Sequence, residues 1–286
     1  MNKTIQKRFG LLLILVTTFS SSWLIQTVQA NSTTNSEIAQ TTNFKQHFDR
    51  LGVNGSILIY DLNQDIFYQH NPQRNSTAFS PASTFKIFNS LVALETNVIK
   101  NEVDVLTWDG IERGFNPFLK KVWNQDLNLR LAFKYSAVWF YQILARRIGY
   151  ERMQDFINKV EYGNQNIGNA ESIDRFWLDA ELQITPEEQI NFLRRLYRND
   201  LPFQQRNIEI VKDIMIMEQT PNYVLRAKTG TTSTIGWYVG YLEQNDNVYF
   251  FATNIDIVAE KDIAARIEVT RLSLQELGLL RSYNFG

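Results

Sequence analysis

Strand-like runs stand near both ends of the chain, and that placement limits its topology more than any other feature. Gly55–Asp61 and Asp65–Gln69 are β-rich and separated by Leu62-Asn63-Gln64, the pattern of a hairpin. Far along the chain, Ile235–Glu243 and Val248–Asn254 flank Gln244-Asn245-Asp246-Asn247 and predict a second hairpin. Lys261–Leu277 then carries Ile263, Ile267, Leu272, Leu274 and Leu277 at helical spacing and ends at Gly278. Between the hairpins, helical patterns fall near 82–96, 137–148, 151–160, 186–199 and 207–216. Strands so far apart in sequence can share a sheet only if the two ends meet in space. The expected fold is therefore α/β in the α+β sense. One antiparallel sheet forms from the N- and C-terminal strands, flanked by helices, with a mainly helical domain inserted between them. No internal repeat or linker divides the chain after its leader.

The chemistry open to such a chain is narrowed by what it lacks. It has no cysteine, which removes disulfides, Cys-ligated zinc and a thiolate nucleophile. His47 and His70 are the only histidines, so a multi-histidine metal centre and a two-His relay are set aside. Both histidines read as structural, and no metal site is expected. The 29 basic residues nearly balance 30 acidic ones, which gives no electrostatic footprint for nucleic acid.

The first thirty residues read as an address. Lys3, Lys7 and Arg8 precede an apolar run, Leu11–Val16, and Val28-Gln29-Ala30 is a small-residue cleavage signal. The other reading is a retained anchor from Phe9 to about Val28, which Thr17, Thr18 and Ser20–Ser22 dilute. The expectation is a signal peptide over 1–30, a mobile polar lead-in over 31–43 and a single catalytic domain over 44–286. The product would be exported to a periplasm, with no stable membrane span after cleavage, as a monomer or dimer.

Ser80-Pro81-Ala82-Ser83-Thr84-Phe85-Lys86 reads as a helix start, with Ser80 as N-cap and Pro81 at the first helical position. Ser83 then lies in the first turn, where amide N–H groups favour developing negative charge. Lys86, three residues on, shares its face. Phe85, Ile87 and Phe88 would desolvate that lysine and favour its neutral form, a base able to activate the serine. Ser-x-x-Lys arises about once by chance in a chain of this length, so it needs company.

Company stands at three places. Ser136-Ala137-Val138 follows the Leu129–Tyr135 run and offers either a second proton-transfer hydroxyl or an ordinary helix cap. Lys228-Thr229-Gly230 follows a strand-like Val224–Ala227; a cation, a hydroxyl and a glycine permitting close backbone approach could hold a carboxylate. Tyr162-Gly163-Asn164 lies between helices, where a turn is the plain reading.

In that order the motifs resemble those of the penicillin-recognising serine enzymes, and in detail the class D, oxacillinase-type serine β-lactamases. Pro81–Lys86 is similar to the family's nucleophile motif throughout, and Tyr162-Gly163-Asn164 to its class D variant. Phe176-Trp177-Leu178 resembles the family's tryptophan segment, and Ala265-Arg266 its late arginine. The resemblance spans nearly the whole mature chain and implies a β-lactamase/transpeptidase-like fold and hydrolysis of the β-lactam amide of penicillin-type antibiotics.

Residue by residue, the resemblance implies that Ser83 is acylated and that Lys86 is the general base, as N6-carboxylysine formed reversibly from CO₂ or bicarbonate. No other cofactor is implied. Trp177 would donate its indole N–H to that group, and Ser136 would pass a proton to the leaving nitrogen. Val138 would close the apolar wall around Lys86. Lys228, Thr229, Gly230 and Arg266 would seat the carboxylate of a small-molecule β-lactam, Arg266 otherwise being a solvated helix-face charge. The N–H groups of Ser83 and Thr231 would form the oxyanion hole, while Tyr162 and Asn164 shape the site. The loop Thr231–Ile235 is shorter than in many relatives, so drug selectivity does not carry over. The alternative function is a penicillin-binding sensor or transpeptidase acylated without efficient turnover; a sensor would bring membrane spans and a signalling domain, of which no pattern is seen.

Overall fold

The computed structural model describes residues 42–179 and 181–280. The expected leader and residues 31–41 of the lead-in lie outside them. From the N-terminal side come α1 (Lys45–Leu51), β1 (Gly55–Asp61), β2 (Ile66–His70) and the single turn α2 (Pro72–Asn75). A 3-10 turn, Ala82–Phe85, runs straight into α3 (Lys86–Glu95). The helical middle holds β3 (Val105–Leu106), α4 (Pro117–Trp123), β4 (Leu127–Asn128), α5 (Leu129–Lys134), α6 (Val138–Ile148) and α7 (Tyr150–Val160). After it come α8 (Pro186–Tyr197) and α9 (Gln205–Ile214). The chain returns to the sheet through β5 (Ile216–Gln219), β6 (Tyr223–Thr231), β7 (Ile235–Gln244) and β8 (Asn247–Asp256), and α10 (Asp262–Glu276) follows.

The strands form a six-stranded antiparallel sheet in the order β2-β1-β8-β7-β6-β5. β1 pairs with β8 through Ile59 opposite Phe251, so the two ends of the chain do meet. Every residue of β1 is buried, and its side chains alternate between two cores. Ile57 and Ile59 face α1 and α10 with Leu225, Phe251 and Val269. Leu58 and Tyr60 face the helical layer with Val239, Tyr241 and Phe250. That alternation fixes register, because a one-residue slip would exchange the two cores. Within the helical layer, α3 is buried on all sides from Lys86 to Leu94. Each large apolar side chain so placed contributes roughly 1.5–3 kcal/mol. No helix among the described residues is long and apolar enough to cross a membrane.

One local expectation changes. The helix expected over 207–216 gives way at Ile214, and Ile216 pairs with Arg226 as a strand. The cause is non-local: the Met215 carbonyl accepts the Ala227 N–H at 2.9 Å and draws the chain to the sheet edge. At the other end, Asn43 of the expected lead-in donates its N–H to Glu276 at 2.8 Å.

Candidate active site

The Ser83 turn is held by three hydrogen bonds to two tryptophans. Ser80 does not cap the helix as expected; its hydroxyl donates to the Trp177 carbonyl at 2.8 Å, and the Ala82 N–H donates to the same oxygen at 3.0 Å. The Trp237 indole donates to the Ser80 carbonyl at 2.9 Å. These bonds hold Ala82 at a φ of +48°, a left-handed state costing on the order of 1–3 kcal/mol for a non-glycine residue. The chain therefore enters the 3-10 turn with Pro81 as its cap, and Ser83 stands in that first turn.

Lys86 sits at the junction of the turn and α3. Its Nζ donates to Ser83 Oγ at 2.5 Å, and the residue has no exposed surface. Phe85 and Phe88 are buried beside it, and the Tyr141 ring lies 5.4 Å from Nζ. No carboxylate pairs with it among the described residues. Burial first, and the charge of Lys228 second, hold its pKa well below the ordinary lysine value. Trp177 stacks on Phe85 with ring centroids 5.3 Å apart, fully buried. Its Nε1 has no acceptor among the described residues. A buried N–H without a partner carries a desolvation cost of about 1–3 kcal/mol, so it marks a position where an acceptor belongs.

Ser136 lies between α5 and α6 in the left-handed region, φ +56°, and the N-cap position of α6 falls to Ala137. The helix-cap reading of Ser136 is thereby removed. Its Oγ accepts from Lys228 Nζ at 3.0 Å, and Nζ also donates to the Thr229 carbonyl at 3.0 Å. Burial, then the Arg266 charge, pushes the Lys228 pKa down to about 7. Val138, half-buried, opens α6.

Past Ala227, where the pairing with β5 has ended, β6 presents a free edge to this cluster. Thr232 donates to the Ile235 carbonyl at 2.9 Å and Ala227 to Met215, which fixes the alternation of hydrogen bonds along the strand. The N–H groups of Thr229 and Thr231 consequently point away from β7, into the cleft. Gly230 is required by close approach: a Cβ there would come 2.9 Å from the Pro81 carbonyl oxygen and 3.1 Å from the Thr84 methyl. Arg266, on α10, lies against Gly236 and is only 7% exposed, so the solvated-charge reading fails. Its Nε and Nη1 have no acceptor among the described residues, and burial pushes its pKa down to about 10.

The structure thus brings Ser83 against Lys86, Ser136 against Lys228 and Gly230 against the nucleophile turn. Tyr162 packs its ring on Phe85 and Phe88. Asn164 stays exposed and braces the loop, donating to the Glu181 carbonyl at 2.9 Å and accepting the Gln183 N–H at 3.0 Å. Tyr141 and Gln189 escaped the sequence reading. Tyr141 shares a 3.0 Å hydrogen bond with Ser90, and Gln189 donates to Thr84 Oγ1 at 2.9 Å. Neither lies in a motif; both are non-local contacts. His47 meets Glu276 and His70 packs on Phe48, away from these groups. Among the described residues no cluster of His, Cys, Asp or Glu could hold a metal ion. The arrangement sets a serine hydroxyl against a desolvated amine, with a second hydroxyl and two basic groups that no carboxylate pairs among the described residues, which suits acyl transfer to a substrate carrying a carboxylate.

The penicillin binding protein transpeptidase domain family matches residues 26–273. "Beta-lactamase OXA-48" of Klebsiella pneumoniae is 37% identical over 265 residues, covering 91% of this chain and 97% of that protein. The crystal structure of the class D β-lactamase YbXI from Nostoc is 64% identical, with a TM-score of 0.81 over 84% of this chain and 100% of that one. FUS-1 (OXA-85), a class D β-lactamase from Fusobacterium nucleatum subsp. polymorphum, is 40% identical with a TM-score of 0.79, over 85% and 100% of the two chains.

Proposed function

The chain belongs to the class D β-lactamases, serine enzymes that hydrolyse β-lactams, and from that premise we propose that it works through an acyl-enzyme on Ser83 with Lys86 as general base in both half-reactions. The observation that carries this reading is the 2.5 Å contact between Lys86 Nζ and Ser83 Oγ in a pocket that strips the lysine of water and of any carboxylate partner. Ser83 Oγ bonds to the lactam carbonyl carbon while its proton passes to Lys86. The N–H groups of Ser83 and Thr231 receive the oxyanion. The C–N bond breaks, and Ser136 protonates the ring nitrogen while drawing a proton from Lys228. The proton that Lys86 took from Ser83 returns to Lys228, which restores the neutral base and the spent lysine. Water then attacks the ester carbonyl and gives a proton to Lys86, the ester C–O bond breaks, and Lys86 hands that proton to Ser83 Oγ. The product is the ring-opened amino acid.

Lys228, Thr229 and Arg266 hold the substrate's carboxylate, Gly230 lets β6 approach the nucleophile turn, and Val138 walls the base. The pocket also fits a carboxylated Lys86. Desolvation keeps the amine in the neutral form that reacts with CO₂, and the partnerless Trp177 N–H supplies a donor for the group. When present, that group supplies an anionic base beside Ser83. Residues 1–30 serve as a cleaved export signal, delivering a single catalytic domain over 44–286 to the periplasm.

Intact-mass analysis after brief exposure to a slowly hydrolysed β-lactam tests the assignment. One adduct is expected, mapping to the Ser83 peptide and missing from Ser83→Ala. An adduct on another residue would contradict it.

A further inference from the structure

A cleft of about 450 Å³ opens past the carboxylate seat, sharing Lys228 and Thr229 with it but reaching none of Ser83, Lys86 or Ser136. Its walls are Phe133 of α5, Ile214 at the end of α9, and Ile216 and Met217 of β5, closed by Ala227. Three features set it apart from an ordinary surface groove. Met217 is the extra residue of a β-bulge, since Ile216 pairs with Arg226 and Glu218 with Leu225. A bulge re-aims a side chain, and this one leaves a flexible thioether 53% exposed on the cleft wall. Second, the cleft abuts the free edge of β6 on one side of the anchor residues. Third, its charge is lopsided: Arg130 is matched by Asp213 at 2.5 Å, whereas Lys134 makes no ion pair among the described residues and Lys228 adds a second cation.

The carboxylate seat and this cleft share Lys228 and Thr229, so a group carried beside a carboxylate seated there adjoins the cleft mouth. We infer that the cleft is a subsite for that group, favouring flat apolar substituents, neutral or anionic, and rejecting cationic ones. The inference rests on the β-lactamase reading and on the carboxylate seat. Thioether and aromatic walls remove an apolar group from water, while Lys134 raises the local potential against a positive charge once the seated carboxylate has taken Lys228. Met217 and Lys134 are thus specificity-determining, and neither touches the reacting bond.

Three cephalosporins with one common acylamino side chain test it, bearing methyl, a neutral arylthiomethyl group or a pyridiniomethyl cation beside the carboxylate carbon. kcat/KM is measured at low salt for the wild type, Met217→Asp and Lys134→Glu. Comparing ratios between proteins cancels the intrinsic reactivity of each compound. Met217→Asp is expected to lower the aryl-to-methyl ratio about tenfold, the scale of one lost apolar contact. Lys134→Glu should raise the cation-to-aryl ratio severalfold, an effect shrinking as salt rises. The subsite is overturned if both variants, melting at the wild-type temperature, keep both ratios within twofold while still hydrolysing the methyl compound. Absence of turnover on all three compounds by the wild type would overturn the β-lactamase reading itself, and the subsite with it.

Discussion

Arg266 and Arg271 lie on the same helix five positions apart, and the fold treats them in opposite ways. Arg271 reaches Glu218 at 2.5 Å, an ion pair near the sheet edge. Arg266, more deeply buried, meets no carboxylate among the described residues and leaves two nitrogens without acceptors there. Elsewhere the pattern of Arg271 recurs, in Arg74 with Asp256 at 2.7 Å and Arg130 with Asp213. Around Ser83 the pattern of Arg266 recurs, in Lys86 and Lys228. A buried cation without a partner is costly, and a domain has only about 5–15 kcal/mol of net stability to absorb such costs. Three basic groups, each pushed toward its neutral form by burial and none paired with a carboxylate among the described residues, converge on one cleft, which packing alone does not call for. At the periphery the chain supplies the anion; under the proposed function, the substrate's carboxylate supplies it beside Arg266 and Lys228.

The sharpest way to break this comparison is to neutralise each arginine in turn. Arg266→Met should raise KM for a carboxylate-bearing penicillin about 10–100-fold, the scale of one or two charge-assisted hydrogen bonds at ~1.5–3 kcal/mol each. Its melting temperature should hold or rise, because an uncompensated buried charge has gone. Arg271→Met should leave KM alone and lower stability by about 1 kcal/mol or less, as partly exposed ion pairs do. Steady-state kinetics and thermal melts check both, and equal KM effects from the two variants would erase the distinction.

A smaller effect is expected at Trp177. Trp177→Phe keeps the ring stack on Phe85 and removes only the orphaned N–H donor. Turnover in degassed buffer should fall about tenfold, with bicarbonate restoring much of it, on the scale of one hydrogen bond to a charged group. ¹³C-bicarbonate labelling should give a lysine-bound resonance that weakens in the variant. Full turnover without bicarbonate in both proteins would mean that Lys86 works as a plain amine.

Much of this architecture is legible in the sequence because it is local. The hairpin ends, α10 and the Ser83–Lys86 spacing follow from side-chain period and composition. The remainder depends on long-range partners. β5 reads as the tail of a helix, since Ile208, Val211 and Ile214 continue a helical stripe; the pairing that makes it a strand lies ten residues on, at Arg226. Ser80 has the identity of a cap, yet Trp177, almost a hundred positions away, claims its hydroxyl. Arg266 has the composition of a surface charge, and its burial is decided by β7 across the sheet at Gly236. The motifs name the reacting groups, but what leaves their cations unpaired is the packing.

The most direct measurement of that claim is proton uptake on carboxylate binding. With a pKa near 7, Lys228 is mostly neutral at pH 8, and an arriving carboxylate raises that pKa and draws a proton from solvent. Calorimetry of Ser83→Ala at pH 8, with a penicillin in buffers of different ionisation enthalpy, should show uptake approaching one proton. The penicillin's methyl ester should bind at least tenfold more weakly, with no uptake. Equal affinity for acid and ester, with no proton exchanged by either, would contradict the account.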